Sequence, residues 1–434
     1  MNGSQNKKMI ENDAEELLAR LYGMENITLN QIRYDHIIDG YLNHFGDGDF
    51  YLFSSPGRTE ISGNHTDHNQ GKVLGASINL DCIAAAGRNG LDKINVISES
   101  FKQNFVLDLN LLSPSTKKSG TIELMKGIMA GFLNKGYVIG GFDIFLTSNV
   151  IPSAGVSSSA AFEILICQIV NTLFNGGLVD RLEYARIGKY AENVYWNKSS
   201  GLLDQMCCAY GGMIAMDFSH PEKPVVRPID FDFKRADHQL VIVQTGKGHA
   251  DLSAEYSAIP NEMRTVARYF KRNTLSEVAP EEFYDQIPDL RGFAGDRAIL
   301  RAIHFFDENE RVEQDIAFLE GGNFPAFLEN IKRSGESSWK YLQNVYNNAV
   351  PGEQGITLAL ALTERFLQAR QAGACRVHGG GFAGVIMVIL PQKDVLEYIE
   401  YIEGFFGTGS AYCMSIRPLG ALCLNTYLQE VSYG

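Results

Sequence analysis

The sequence predicts two α/β or α+β lobes, and three observations carry that expectation. Strand, helix and glycine-rich loop recur on both sides of residues 218–236, where Pro221, Pro224 and Pro228 cluster in a charged stretch that marks a domain boundary. At 434 residues the chain is too long for one ordinary core, and its length suggests roughly two to three domains. Hydrophobic residues at 45% and charged residues at 21% are ordinary values for a folded globular chain.

In chain order, residues 12–22 place Leu17, Leu18, Leu21 and Tyr22 on one helical face, which predicts an N-terminal helix appended to the main fold. Residues 50–54 read as a strand that feeds a loop over residues 56–71, where an Arg, an Asn, two His and an Asp crowd between glycines. Such a loop suits either solvent or a small polyhydroxylated or charged ligand. Residues 73–79 and 81–86 are small-apolar runs, each long enough for a buried strand or a short helical segment. A helical period over 120–133 stops at Gly136, a strand follows at 142–147, and a small-residue loop leads into an apolar helix over 160–173. Asp180 is positioned to cap a further helix running to Trp196. Beyond the boundary the pattern predicts a strand over 239–245, helices within 261–345 and an amphipathic helix from Gly355 to Ala372. The motif His378-Gly-Gly-Gly-Phe-Ala-Gly384, a strand over 385–390 and a helix over 395–405 complete the second lobe.

Composition excludes several classes. A net charge of −13 without a concentrated basic face opposes nucleic-acid binding. No apolar run approaches the roughly 20 residues of a membrane span, and the polar, acidic N-terminus lacks the pattern of an export signal. The seven cysteines are scattered without a Cys-x-x-Cys pair, which points to reduced thiols and a cytoplasmic location rather than disulfides or structural zinc.

Residues 153–159 carry the strongest local signal. Small residues let backbone amides approach an anion, and Ser157, Ser158 and Ser159 stand where an apolar helix begins, so the segment suits a phosphate or a simple serine N-cap. It contains neither a Gly-Lys-[Ser/Thr] nor a Gly-x-Ser-x-Gly pattern. The glycines at 379–384 match a dinucleotide fingerprint only in letters, because a helix precedes them and a strand follows. His65, Asp67 and His68 lack the further ligands of a transition-metal site, and hydrogen-bonding roles fit them better. Asp204 is either a helix cap or a held functional carboxylate; Glu192 is either that or half of a salt bridge.

Taken in order, GRTEISGNHTDHNQG (57–71), PSAGVSSSAAFE (152–163), AENVYWNKSSGLLDQ (191–205), HADLSAEY (249–256) and HGGGFAG (378–384) resemble the galactokinase branch of the kinase superfamily that includes homoserine, mevalonate and phosphomevalonate kinases. The resemblance spans nearly the whole chain after about residue 30 and implies an α+β, two-lobed fold with the active site in the cleft between the lobes. It divides the chain into an N-terminal helical extension (1–30), an N-terminal lobe (31–225) and a C-terminal lobe (226–434). The implied activity is transfer of the ATP γ-phosphoryl to the anomeric hydroxyl of galactose or a related sugar, with ATP and Mg²⁺ as cofactors and a small sugar as the other partner. By position, Asp204 and Arg58 correspond to the catalytic pair. Asn64, His65, Asp67, Gly201 and Tyr256 correspond to sugar contacts, Gly155, Ser157, Ser158 and Ser159 to the phosphate cradle, and Ser159 with Glu192 to the Mg²⁺ ligands.

The departures from the family concern the substrate. Asn64 stands where the family has a Glu that contacts the sugar's hydroxymethyl group, and His68 stands where it has Tyr. An amide both donates and accepts, so galacturonate, arabinose and N-acetylgalactosamine join galactose as candidates. The phosphate loop is one residue shorter than the family's, and the Arg pair that often follows Glu255-Tyr256 is missing. A non-catalytic sugar- and ATP-binding regulator is the alternative from another class.

Overall fold

The computed structural model describes residues 1–100, 102–115, 120–151, 155–198, 200–246, 253–346, 348, 350–382 and 384–433. The chain opens with three helices, α1 (Gly3–Asn12), α2 (Glu15–Tyr22) and α3 (Ile27–Phe45). The first lobe then lays down β1 (Tyr51–Ser62), β2 (Lys72–Arg88), β3 (Lys93–Ser98), β4 (Gln103–Asp108), α4 (Thr121–Asn134), β5 (Phe142–Ser148), α5 (Ser158–Phe174), α6 (Arg181–Tyr190) and α7 (Leu203–Tyr210), followed by β6 (Met213–Asp217) and β7 (Val225–Ile229). The second lobe holds β8 (His238–Gln244), α8 (Ser253–Tyr269), α9 (Pro280–Asp285), α10 (Ile287–Phe293), α11 (Asp296–Glu320), α12 (Phe324–Ser337), α13 (Gly355–Arg370), β9 (Ala374–His378), β10 (Val385–Pro391), α14 (Val395–Phe406) and β11 (Ala411–Met414). The chain ends on β12 (Leu422–Cys423) and α15 (Leu424–Tyr433).

Eight strands form one sheet, ordered β12-β1-β2-β5-β3-β4, with β6 paired to the far end of β2 and β7 to β6. Four form the other, ordered β11-β8-β10-β9. The division expected at 225/226 falls at the start of β7, which belongs to the first sheet, and β12 returns the end of the chain to that sheet.

Both faces of the large sheet are covered, which explains why residues 83–86 read as a continuous apolar run. Period-two alternation sends Phe53, Ala84 and Ala86 toward α4, α5 and α6, and sends Leu52, Ile83, Ala85 and Phe145 toward α1, α2 and α3. The two runs that the sequence separates at Leu80 are one 17-residue strand, β2, with a register shift opposite Pro56 and Arg58. That irregularity, and a second one opposite Glu60 and Ser62, let β1 continue through residues 56–62 where the sequence predicts a loop. The loop proper is the tight turn of residues 63–71. The second lobe's sheet also alternates. Val241, Val243, Ile386 and Val388 face α13 and α14, while Leu240, Ile242, Met387 and Ile389 join the core that the two lobes share.

One buried carboxylate ties the N-terminal helices to this frame. Asp81 on β2 is fully buried and accepts from Arg33 of α3 (2.9 Å), Ser54 of β1 (2.6 Å), Arg417 (3.1 Å) and the Tyr22 hydroxyl. Burial alone would raise its pKa, but Arg33, Arg417 and the hydroxyl donors outweigh burial and lower it. Asp81→Ala strands the fully buried Arg417, and a denaturant titration is expected to show a loss of about 3–5 kcal/mol. Because its folded pKa is depressed, Asp81's contribution is present above the unfolded value of about 4 and disappears as pH falls through the folded value. The variant should therefore lose less stability than wild type on acidification below about pH 4.

Candidate functional site

The bulges in β1 and β2 aim Arg58 and Glu60 into a cleft between the lobes. Arg58 is held by its backbone N–H to Val156 O (3.1 Å) and donates from Nε to Asp204 Oδ1 (2.7 Å) and from Nη1 to Gly155 O. Asp204 lies in the first turn of α7, but its side chain caps nothing; its second oxygen accepts from the Ser157 hydroxyl. Ser157 likewise does not cap α5. It adopts the left-handed region (φ 57°), just past Gly155 (φ 68°), and so turns its hydroxyl onto Asp204. A Cβ on Gly155 would stand 2.5 Å from a Val385 methyl, so β10 approaches this loop too closely for any other residue. Burial opposes the Asp204 charge, yet Arg58, Lys198 and the Ser157 hydroxyl outweigh it and hold the pKa below the usual value. Asp204 is therefore a carboxylate at neutral pH.

Beside this pair, α5 presents Ser158 and Ser159 in its first turn, where backbone N–H groups have no helical partner. Ser159 Oγ donates to Glu192 Oε1 (3.1 Å). Glu192 also takes an ion pair from Lys198, and Gln205 Nε2 bridges its other oxygen (3.2 Å) to Glu163 (2.9 Å). Glu163 is fully buried with Oε1 unpartnered, and burial together with the neighbouring Glu192 raises its pKa. Pro152, Ser153 and Ala154, the front of the expected phosphate loop, lie outside the described residues, as do residues 249–252 of the HADLSAEY segment.

The opposite wall is the turn at 63–68. His65 sits at φ 60°, and its Nε2–H donates to Gly380 O (3.0 Å), which leaves Nδ1 as a buried, unpartnered acceptor. Burial, with His68 second, pushes its pKa down to about 3, so the ring is neutral. Gly201 is set against Asp67 so closely that a Cβ would stand 1.7 Å from Oδ2. Tyr256 stacks obliquely on His65 at 5.3 Å between ring centroids, and its ring edge would lie 2.3 Å from a Cβ on Gly380. The glycines at 379–381 are thus a hairpin loop packed on this wall. A strand, β9, precedes them directly, rather than the helix that the sequence suggests.

Arg58, Glu60, His65, Asp67, Gly201, Asp204 and Tyr256 together line one cavity. Asn64 lies behind its wall. Fully buried, it donates to Glu60 Oε1 (2.9 Å) and Gly379 O (2.8 Å) and accepts from Asn344 (2.9 Å). The carboxylate that faces the cavity there is Glu60, gripped at Oε1 by the fully buried Arg376 of β9 (2.9 Å). Sequence reasoning missed Glu60 and Lys198. The signal available for Glu60 was its spacing, since residues 60 and 64 flank the bulge and the turn and so meet in space.

Comparison with known proteins identifies the family and the fold. The family model for the galactokinase galactose-binding signature matches residues 39–88, and that for the N-terminal domain of the galactokinase, homoserine, mevalonate and phosphomevalonate kinases matches residues 123–212. Galactokinase of Lactococcus lactis is 30% identical over 386 residues, spanning 86% of this chain and 92% of the relative, and that of Clostridium tetani is 26% identical over 383 residues, spanning 86% and 91%. The crystal structure of Lactococcus lactis galactokinase complexed with galactose superposes with a TM-score of 0.77 at 26% identity, covering 88% of this chain and 97% of that one. Mevalonate kinase of Methanococcus jannaschii shares the fold, with a TM-score of 0.58 at 15% identity over 85% of this chain and 99% of that one.

Proposed function

Because the chain belongs to the galactokinase family and is an ATP-dependent sugar kinase, we propose that it phosphorylates the anomeric hydroxyl of galactose or a close relative in the cavity around Asp204. The observation that carries this reading is the mutual hold of Arg58, Asp204 and Ser157 at the mouth of the phosphate loop, with the sugar-facing residues on the opposite wall.

In this reading the anomeric hydroxyl donates to Asp204, whose position is fixed by Arg58 on one oxygen and Ser157 on the other. A carboxylate with a depressed pKa is a weak base at neutral pH, so Asp204 orients the hydroxyl and takes its proton as the new P–O bond forms. Phosphoryl transfer tolerates such a base, because its loose transition state asks chiefly for positioning and charge stabilisation. Arg58 supplies a fixed cation beside the transferring group. The amides of Ser158 and Ser159 at the α5 N-terminus suit nucleotide phosphates, with Gly155 allowing close approach. Ser159 and Glu192 offer the hard oxygen donors that suit Mg²⁺, and the unpartnered Glu163 oxygen supports a cation at this place. When bound, Mg²⁺ would neutralise charge on the nucleotide phosphates. Lys198 already brings positive charge to Glu192.

On the sugar side, neutral His65 offers Nδ1 as an acceptor, and Asp67 and Tyr256 are placed for ring hydroxyls. Glu60 takes over the acceptor role that the family gives to residue 64, because Asn64 spends its amide on Glu60 itself. That disfavours a carboxylate at this end of the sugar and favours a hydroxymethyl group. The two-lobe division at about residue 225 and a cytoplasmic location belong to the same reading, the latter supported by six of seven cysteines being buried and unpaired. No helix among the described residues is long and apolar enough to cross a membrane.

A coupled ADP-release assay over hexoses, pentoses and uronic acids tests the proposal, and absence of turnover with every sugar would refute it. Asp204→Asn should lower kcat by about 10²- to 10⁴-fold while KM for the sugar moves far less; near-normal turnover would remove Asp204 from its role. Since Asp204 is ionised well below neutrality, kcat/KM should show no acid limb between about pH 5 and 8 that vanishes in that variant. Wild type should prefer galactose to 6-deoxygalactose, and Glu60→Gln should erase most of that preference. An unchanged preference ratio would show that Glu60 does not meet the hydroxymethyl group.

A further inference from the structure

Past Asp67 and Gly201 the sugar cavity opens into a second chamber of about 350 Å³, which shares Asp67, His68, Ser200, Gly201 and Tyr256 with the first. It lies away from Arg58 and Asp204, so a sugar whose anomeric carbon faces Asp204 turns another ring edge toward it. Its charge is unlike the rest of the molecule. Lys189, from the last turn of α6, and Arg264, from α8, both line it in a chain whose net charge is −13. Among the described residues neither has a carboxylate within ion-pairing distance. Among the described residues the polar contacts of Arg264 are long, to Asn261 Oδ1 (3.5 Å) and His68 O (3.4 Å). Among the described residues Asp67 is the one acidic residue in the lining, and it stands 3.7 Å from His68 Nε2. Two half-buried cations facing one carboxylate across a shared cavity leave an excess of positive charge that water alone compensates poorly.

We propose that this chamber is a second subsite, which takes an anionic group carried by the sugar substrate on the ring edge that faces Asp67 and Gly201. The inference rests on the sugar-kinase reading of the adjoining cavity and deepens it. The substrate class is a galactose-type sugar bearing a sulfate or phosphate ester on a ring hydroxyl other than the anomeric one, away from the hydroxymethyl end that Glu60 faces. Glu60, at the other end of the cavity, repels an anion there and so fixes which edge carries the charge. Burial lowers the Lys189 pKa, with Asp67 opposing the shift, and a bound anion would relieve that cost. Charge-assisted hydrogen bonds from an ammonium and a guanidinium suit oxyanions of either kind.

The test compares galactose, galacturonate and galactose 2-, 3- and 4-sulfates and phosphates in wild type and in Lys189→Gln, Arg264→Gln and the double variant. Both kcat/KM and calorimetric binding without ATP are read. The expected result is that one sulfate or phosphate ester exceeds galactose in kcat/KM by at least about tenfold while galacturonate does not, and that the double variant cuts the ester-to-galactose ratio by about tenfold to a hundredfold. The position of the preferred substituent, and whether it is a sulfate or a phosphate, identifies the group. Galactose equal to or better than every one of these esters, a preference for galacturonate, or a ratio that the substitutions leave unmoved, overturns the inference while the kinase reading stands. If no sugar is phosphorylated, the kinase reading fails, and the binding arm still decides the chamber: selective binding of an anionic sugar that the double variant loses supports it, and its absence overturns it. Melting temperatures of the variants without ligand identify any that fail to fold.

Discussion

The ion pair between Arg58 and Asp204 is the constraint on which the rest of the site depends. The partners stand 146 residues apart in sequence, and neither element could hold its charge in the cleft alone. A largely buried pair of this kind repays its desolvation only when geometry is fixed and the remaining polar atoms are bonded. Several local features supply that geometry. The bulges turn β1 so that Arg58 faces α7, Gly155 lets the loop before α5 pass beneath β10, and the left-handed Ser157 puts a hydroxyl on the second Asp204 oxygen. Local strain at Ser157 is thereby exchanged for a preorganised carboxylate.

A second set of interactions sets the distance between the lobes. Arg376 reaches from β9 to the carbonyls of Glu60 and Ile61 as well as to the Glu60 carboxylate, and Glu308 of α11 accepts from the backbone N–H groups of Gly63 (3.1 Å) and Asn64 (3.3 Å). His304 donates to the Asn64 carbonyl (2.9 Å), and the glycines at 379 and 380 accept from Asn64 and His65. The cavity wall at residues 60–68 thus belongs to the first lobe by sequence and is held in shape by the second. Its polar side chains divide accordingly: Asn64 is spent on structure, while Glu60, His65 and Asp67 keep acceptor atoms toward the cavity.

Much of this was legible in the sequence, and what was not has physical causes. Periodicity located α5, α6, α13 and α14 and the strands β5, β8 and β10, because each buries one face or two against a single core. Residues 56–62 read as loop because Pro, Gly, Arg and Glu are poor strand formers; bulges and buried partners such as Arg376 override that preference. The helix α1 escaped notice because its buried face is Gly3, Asn6, Met9 and Ile10, only half of it apolar. Asn64 was the residue whose environment sequence could least reveal. Whether an amide meets ligand or protein depends on Glu60, Asn344 and Gly379, which converge on it only in the fold.

Asp204 and Arg58 are proposed to act on an anomeric hydroxyl. The most direct measurement is phosphorus–proton correlation NMR of the product formed from ATP and the best substrate of the sugar panel. A phosphate coupled to the anomeric proton is the predicted result; a phosphate on any other carbon would contradict the orientation of the sugar on which the account rests.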